Sequence, residues 1–220
     1  MQSFDFDSSL FLSLAALGLA MAIIVEHVQL LAKYNGARAG KVAKGYTMAM
    51  KILLLNRIGT VLYFLFIAIA VDMGNTSATI TYYFIYALVA VAVANILVTL
   101  WFLKGKGLYG SLFRLKDISF LALLAAFIAP LFGLLGLTIP ILLSADNPEF
   151  RLTLANTGFL FNSIFSLINI FFVESYIAKL IDENNEKLSR FVALVFIARV
   201  LSASTVVIIL LFLVDTSFKF

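Results

Sequence analysis

Five ionisable side chains interrupt stretches otherwise suited to hydrocarbon: Glu26, Lys51, Arg57, Glu174 and Arg199. Insertion scales put the cost of an ion at the centre of a membrane helix at about 2.5–3.5 kcal/mol. Glutamate and lysine can escape by changing protonation state, but arginine keeps its proton at any physiological pH. Arg57 and Arg199 therefore need an anion, a hydrogen-bonding partner or water at their own depth. The planar guanidinium fork matches phosphate oxygens, and pairs of this kind are among the stronger hydrogen bonds. Paired off across hairpins, Glu26 would offset Lys51 and Glu174 would offset Arg199. Three cations against two acids then leave one positive charge, with Arg57 as its deepest carrier. The chemistry this set suits is the binding of an anionic, phosphate-bearing group. The plainer alternative is that the charges only staple helices together.

The elements that must hold these residues follow from composition. The chain has 220 residues, 63% of them hydrophobic and 13% charged, whereas soluble domains are about half apolar and a quarter charged. The excess lies in six long runs: Ser8–Leu31, Thr47–Val71, Ile80–Leu103, Ile118–Ser144, Thr153–Ala178 and Phe191–Val214. A bilayer core takes about 20 apolar residues per helix, and none of the runs alternates as a barrel strand would. The expected fold class is all-α, a polytopic membrane protein forming one six-transmembrane-helix bundle over residues 1–220. Short connections leave no room for a separate soluble domain. The first run is too long for a signal-peptide core and follows Asp5 and Asp7 rather than cations, so it is expected to remain as a helix.

Short-loop cations mark the cytoplasmic side. The first connection carries Lys33, Arg38, Lys41 and Lys44; the third carries Lys104, Lys106, Arg114 and Lys116; the fifth carries Lys179, Lys187 and Arg190. The opposite side has only Arg151 and Lys219, with Asp5, Asp7, Asp72, Asp146, Glu149 and Asp215. Both termini are expected outside. Measured from the basic residue at each cytoplasmic end, at about 1.5 Å per residue, Glu26 and Lys51 lie roughly 10 Å deep, Glu174 about 8 Å, Arg199 about 14 Å and Arg57 about 20 Å. All five could line one cavity opening toward the cytoplasm.

Other polar features fit around that cavity. Asn162, Ser163, Ser166 and Asn169 fall within one arc of the fifth helix at ~100° per residue, a face unsuited to lipid that either lines the same cavity or hydrogen-bonds a neighbouring helix. Asn95 and Asn156 read as helix-to-helix glue. The fourth run, "APLFGLLGLTIPILLS", holds Pro130, Gly133, Gly136 and Pro140. Its interruptions would either line a cavity or mark a close helix contact. "IIVEHVQLLA" is echoed by "FFVESYIAKL", and "LLLNRIGT" by "VFIARVLS". Taken as a repeat, these make the first-and-second and fifth-and-sixth helices parallel copies of one hairpin, as in many transporters.

Several classes are disfavoured. One histidine, His27, and no cysteine leave no set of about three protein ligands for zinc, so no metal and no cofactor are expected. No serine has a convincing catalytic partner, no nucleotide-binding loop occurs, and an enzyme is not expected. The +4 net charge reflects loop topology rather than nucleic-acid binding. Within "YNGARAGKVAKG", Arg38 and Lys41 face the anionic inner leaflet, where they serve topology or offer a pyrophosphate lipid its first landing place. The Gly36–Gly40 spacing in this charged loop is not read as a dimer face. The sequence leaves a homo-oligomer open.

The stretch Val25–Thr60 resembles the opening of the Amj-type lipid II flippase family, the small bacterial alternates to MurJ. That family carries a glutamate in its first helix, a glycine ten residues later, then an arginine and a Gly-Lys, and an arginine in the second helix. Here these are Glu26, Gly36, Arg38, Gly40, Lys41 and Arg57. "SRFVALVFIARVLSAS" (Ser189–Ser204) is similar to the family's closing helix, with Arg199 as the counterpart arginine. The resemblance implies a multi-pass protein of the bacterial cytoplasmic membrane. It would export an undecaprenyl-pyrophosphate-linked cell-wall precursor, lipid II, from inner to outer leaflet. The expected partners are that anionic lipid and membrane lipids. Arg57, Arg199 and Lys51 would hold the pyrophosphate, and Glu26 and Glu174 would orient those cations and compete for them. A transporter of a small soluble anion and a non-transporting membrane scaffold are the alternatives.

Overall fold

Asp7 sets the start of the first helix by accepting a hydrogen bond from the Ser9 backbone N–H at 2.9 Å. Its hydrogen bonds with Ser9 hold the Asp7 carboxyl below the ordinary carboxylate range. The protein, represented by a computed structural model, is described over residues 7–106, 118–183 and 187–217. The helices are α1 (Ser8–Arg38), α2 (Val42–Asp72), α3 (Ser77–Lys106), α4 (Phe120–Asp146), α5 (Arg151–Ile168), α6 (Ser175–Asp182) and α7 (Lys187–Ser217). A 3₁₀ turn, Pro148–Phe150, precedes α5, and a π-helical segment, Asn169–Glu174, joins α5 to α6. The described residues contain no strand. Six helices are long and apolar enough to cross a membrane, the fifth running through the π segment as Asn156–Asp182. This is the expected all-α, six-span architecture. Hydrocarbon leaves backbone groups no water to bond, so each span satisfies them internally as helix.

The first hairpin is longer than its apolar runs. α1 continues seven residues past Leu31, carried through the weak helix formers Asn35 and Gly36 and ending at Arg38. The chain turns at Ala39–Lys41, where Gly40 takes φ 65°, a left-handed conformation that favours glycine. The Lys41 N–H closes the turn on the Gly36 carbonyl at 2.8 Å. Lys33, expected in a loop, is therefore a helical residue. Arg114, Lys116, Asp5 and Lys219 lie outside the described residues.

α1 and α2 pack along most of their length, and glycines allow it. A Cβ on Gly36 would lie 2.4 Å from the Gly45 Cα, and one on Gly18 would lie 2.8 Å from the Tyr63 backbone nitrogen. Gly36 thus serves the hairpin's own closure. α4 and α5 approach in the same manner. A Cβ on Gly136 would meet the Phe161 Cβ at 2.3 Å, and one on Gly158 would meet the Gly136 carbonyl oxygen at 2.8 Å. The fourth run's glycines are a close helix contact.

α7 packs on α3 and α4 and ties the two pairs together. Two apolar clusters fill the interior. One gathers Tyr34, Phe102, Phe191 and Phe196 toward the α1–α2 turn, and the other gathers Leu12, Tyr63, Phe84 and Leu210 toward the opposite end. Near both α4 prolines a hydroxyl from a neighbouring helix bonds the carbonyl next to the one the proline leaves free. The Ser202 Oγ donates to the Phe127 carbonyl at 2.6 Å, one turn before Pro130. The Tyr63 hydroxyl donates to the Leu137 carbonyl, one turn before Pro140. Side-chain hydroxyls are among the groups that make broken turns tolerable in a membrane.

Candidate functional site

Helical phase decides which buried charges meet. On α2, Asn56 and Arg57 share an arc with Leu53 and Thr60, while Lys51 lies roughly 120° round the helix from Arg57 at ~100° per residue. On α1, Glu26, Leu30 and Lys33 form one stripe. On the fifth span, Asn162, Ser166 and Asn169 form another. These stripes converge on a cavity of about 440 Å³, walled by α1, α2, α4, α5 and the π segment, with Arg199 and Ala203 of α7 contributing. Pro130 and Gly133 form part of the α4 wall, so one of the two breaks in that run does line the cavity.

α2 packs on α1 and α5 packs on α4, whereas α2 and α5, both of which wall the cavity, make no extensive contact with each other. Arg57 lines the cavity and is exposed. Arg199 lies deeper. Its Nε and Nη1 are buried and have no hydrogen-bond partner. Glu26 lines the same space beside Asn56, within electrostatic reach of Arg199. Asn56 is oriented by its own bond, its amide donating to the Ala22 carbonyl at 2.8 Å. The Thr60 hydroxyl bonds the Asn56 carbonyl at 2.9 Å.

Two ionic contacts differ from the sequence expectation. Glu174 accepts from Lys33 Nζ at 2.7 Å, not from Arg199. The Lys33 ammonium also sits 5.4 Å from the centre of the Tyr46 ring, a cation–π distance. The π segment helps explain this choice. On an unbroken α-helix, Glu174 would stand roughly 140° from Asn169; the wider π turn rotates it back toward the cavity face. The second difference concerns Lys51, which is exposed and does not line the cavity. It cannot offset Glu26 there, because the helical phase that brings in Arg57 carries Lys51 away. Lys33 takes its place in the sum, so the cavity still holds three cations, Lys33, Arg57 and Arg199, against Glu26 and Glu174.

The remaining candidates divide. Arg38 is exposed at the end of α1. Lys41 and Lys44 border a separate groove on the other face of the hairpin, walled by Val28, Leu31, Met48 and Ile52. Of the fifth-span arc, Ser163 is exposed and donates back to the Phe159 carbonyl at 2.8 Å; Asn162, Ser166 and Asn169 line the cavity. Asn95 is buried, and Asn156 is exposed rather than packed between helices.

His27 lines the cavity with its ring stacked on Phe196 at 5.3 Å. Its Nδ1 faces the Ile23 carbonyl at 3.3 Å and its Nε2 is buried without a partner. Its place one residue after Glu26 on the wall of the same helix was a signal that sequence reading left unused. Lys33 was missed because its position beside a basic loop reads as topology. Among the described residues no cluster of His, Asp or Glu could hold a metal ion. The arrangement can bind an anion through Arg57 and Arg199, with Glu26 as the carboxylate competing for them. Comparison with known proteins returned no match, neither a family model, nor a curated protein, nor a solved structure.

Proposed function

We propose that this protein is a flippase for an anionic lipid-linked precursor. On this reading it moves an undecaprenyl-pyrophosphate-linked cell-wall unit of the lipid II type from the inner to the outer leaflet of the bacterial cytoplasmic membrane. The observation that carries the reading is Arg199, with two unpartnered buried nitrogens, lining a cavity walled by both α2 and α5; on this reading the mouth lies between those two helices. Unpaired donors in a low-dielectric site cost the protein unless a ligand completes them. A sideways mouth lets a head group enter while its polyprenyl tail stays in lipid. A small soluble anion would be better served by a pore along the bundle axis. The resemblance to the Amj-type family supports the same substrate.

At about 440 Å³ the cavity is of ordinary ligand-site size, where such sites run about 300–1,000 Å³. It suits the pyrophosphate and the first sugar, with the rest of a large head group extending beyond the mouth. Arg57 meets the phosphates first, Arg199 holds them at depth, and Glu26 recaptures Arg199 when they leave. Outward movement of an anion is favoured by an inside-negative potential, by about 2.3 kcal/mol per charge per 100 mV.

Complementation tests the proposal. The gene should restore growth to bacteria depleted of their essential lipid II flippase, and Arg199→Ala should fail while reaching the membrane at normal abundance. Failure of the unaltered protein to rescue, with lipid II still inside, sinks the substrate assignment. Full rescue by Arg199→Ala sinks the site.

A further inference from the structure

Two ion pairs cross the seam between the first hairpin and the fifth span, one at each end. Lys33 of α1 bonds Glu174 of the π segment at 2.7 Å. Asp72, the last residue of α2, bonds Arg151, the first residue of α5. Along the fifth span Arg151 and Glu174 are 23 residues apart, or roughly 35 Å at 1.5 Å per residue, close to the ~30 Å of a hydrocarbon core. The pairs thus stand toward opposite ends of the fifth span. Their polarity is reversed: the hairpin gives the cation at one end and the carboxylate at the other. Between them lies the cavity, walled on both sides by helices that make no extensive contact with each other.

We propose that Lys33–Glu174 and Asp72–Arg151 are the two gates of this seam, and that the cavity communicates with one aqueous side at a time as one pair or the other parts. The inference rests on the transport reading above. The two gates differ in build. Asp72 and Arg151 are 68% and 35% exposed, and solvent-exposed pairs hold weakly, so this gate opens readily. On the α2 side of it, the buried Tyr63 bonds the carbonyl of Leu137, a cavity-lining residue of α4. Lys33 and Glu174 are 9% and 27% exposed, and Lys33 has the Tyr46 ring beside it, so this gate is the firmer. A ligand phosphate reaching Arg199 displaces Glu26, and the cavity's charge then bears on the pair that walls it.

The chain has no cysteine, so a single introduced thiol reports access without background. Ser166→Cys places one on the cavity wall. Membrane-impermeant maleimide, applied from each side of vesicles holding the full chain, measures how fast that thiol is reached. Adding Asp72→Arg sets two like charges against each other. We expect labelling from the side of the α2–α3 turn to rise, by up to about fivefold, the upper value for losing one exposed pair. The exchange Asp72→Arg with Arg151→Asp should return it to the starting rate, which also shows that the single change did not merely unfold the protein. Glu174→Lys should raise labelling from the α1–α2 turn side, reversed by adding Lys33→Glu. Unchanged labelling in both single variants, or exchange variants that fail to restore the rate, overturns the gates. Because no substrate enters the assay, labelling that behaves as expected in a protein that rescues no growth retains the gates and rejects the lipid II reading.

Discussion

Lys33 Nζ lies 2.7 Å from a carboxylate oxygen of Glu174, joining residues 141 positions apart in the chain. The contact removes one cation and one acid from the cavity's free charge and leaves Glu26 alone against Arg57 and Arg199. It also ties the first hairpin to the one stretch of π helix in the described residues. Breaking such a pair from one side leaves a charge stranded with little water, which costs more than the pair itself contributes.

Lys33→Met should therefore lower stability by about 2 kcal/mol, below the ~3–5 kcal/mol of fully buried pairs because Glu174 keeps some exposure. Lys33→Met combined with Glu174→Leu should recover most of that loss. Thermal unfolding of the purified protein in detergent, for both singles and the double, reads the difference. A double variant no better than Lys33→Met would mean that the single's cost lies elsewhere.

Arg199→Gln and Arg57→Gln should each weaken binding of a short-chain isoprenyl pyrophosphate. A hydrogen bond to a charged group contributes about 1.5–3 kcal/mol, so dissociation constants should rise roughly ten- to a hundredfold, more for Arg199 because its nitrogens are buried. Lys51→Gln should change binding by less than about twofold, since Lys51 faces away from the cavity and an exposed charge at that distance is largely screened. Ligand-induced thermal shift against ligand concentration measures all three. An equal loss from Lys51→Gln would show that bulk charge, not the cavity, drives association.

The six spans were legible because hydrocarbon thickness and the backbone's need for internal hydrogen bonds leave few options. The buried charges were legible for the same reason, since an ion in an apolar run stands out. Pairing was not. Pairing across the last hairpin gives Glu174 to Arg199, yet a six-residue π segment turns it toward Lys33, and nothing in "NIFFVE" announces a wider turn. Lys33 looked topogenic because α1 was expected to stop at Leu31; the helix runs to Arg38 and draws the lysine into the bundle. Lys51 fails by phase, which the sequence did contain. Arg57 and Lys51 are six residues apart, a spacing that cannot put both on one face of a helix.

Gly36→Ala should destabilise the first hairpin. The new methyl group would sit 2.4 Å from the Gly45 Cα, and backbone cannot swing aside as a side chain can. Overpacking of this kind typically costs about 1–3 kcal/mol. Gly105→Ala, with nothing within 4 Å of the added carbon, should be neutral or slightly stabilising, as alanine is the better helix former by about 1 kcal/mol. The two unfolding temperatures, measured in the same detergent, should move apart. A Gly36→Ala protein as stable as its parent would imply that α1 and α2 are spaced more widely in the membrane.

Ser202 and Pro130 should act as one unit. Pro130 has no N–H for the Ala126 carbonyl, and its ring crowds the preceding turn; the neighbouring Phe127 carbonyl is met by the Ser202 hydroxyl at 2.6 Å. Ser202→Ala in the natural background should then cost about 1 kcal/mol, the ordinary value of a hydrogen bond. In a Pro130→Ala background the turn can close on its own backbone, and the same substitution should cost less. A double-mutant cycle on unfolding free energy isolates that difference, which residues sharing one carbonyl's environment should show as a coupling of at least about 0.5 kcal/mol. Additive effects would mean that Ser202 is satisfied by its second acceptor, the Ala198 carbonyl at 2.8 Å, and that the kink beside the cavity is held by packing alone.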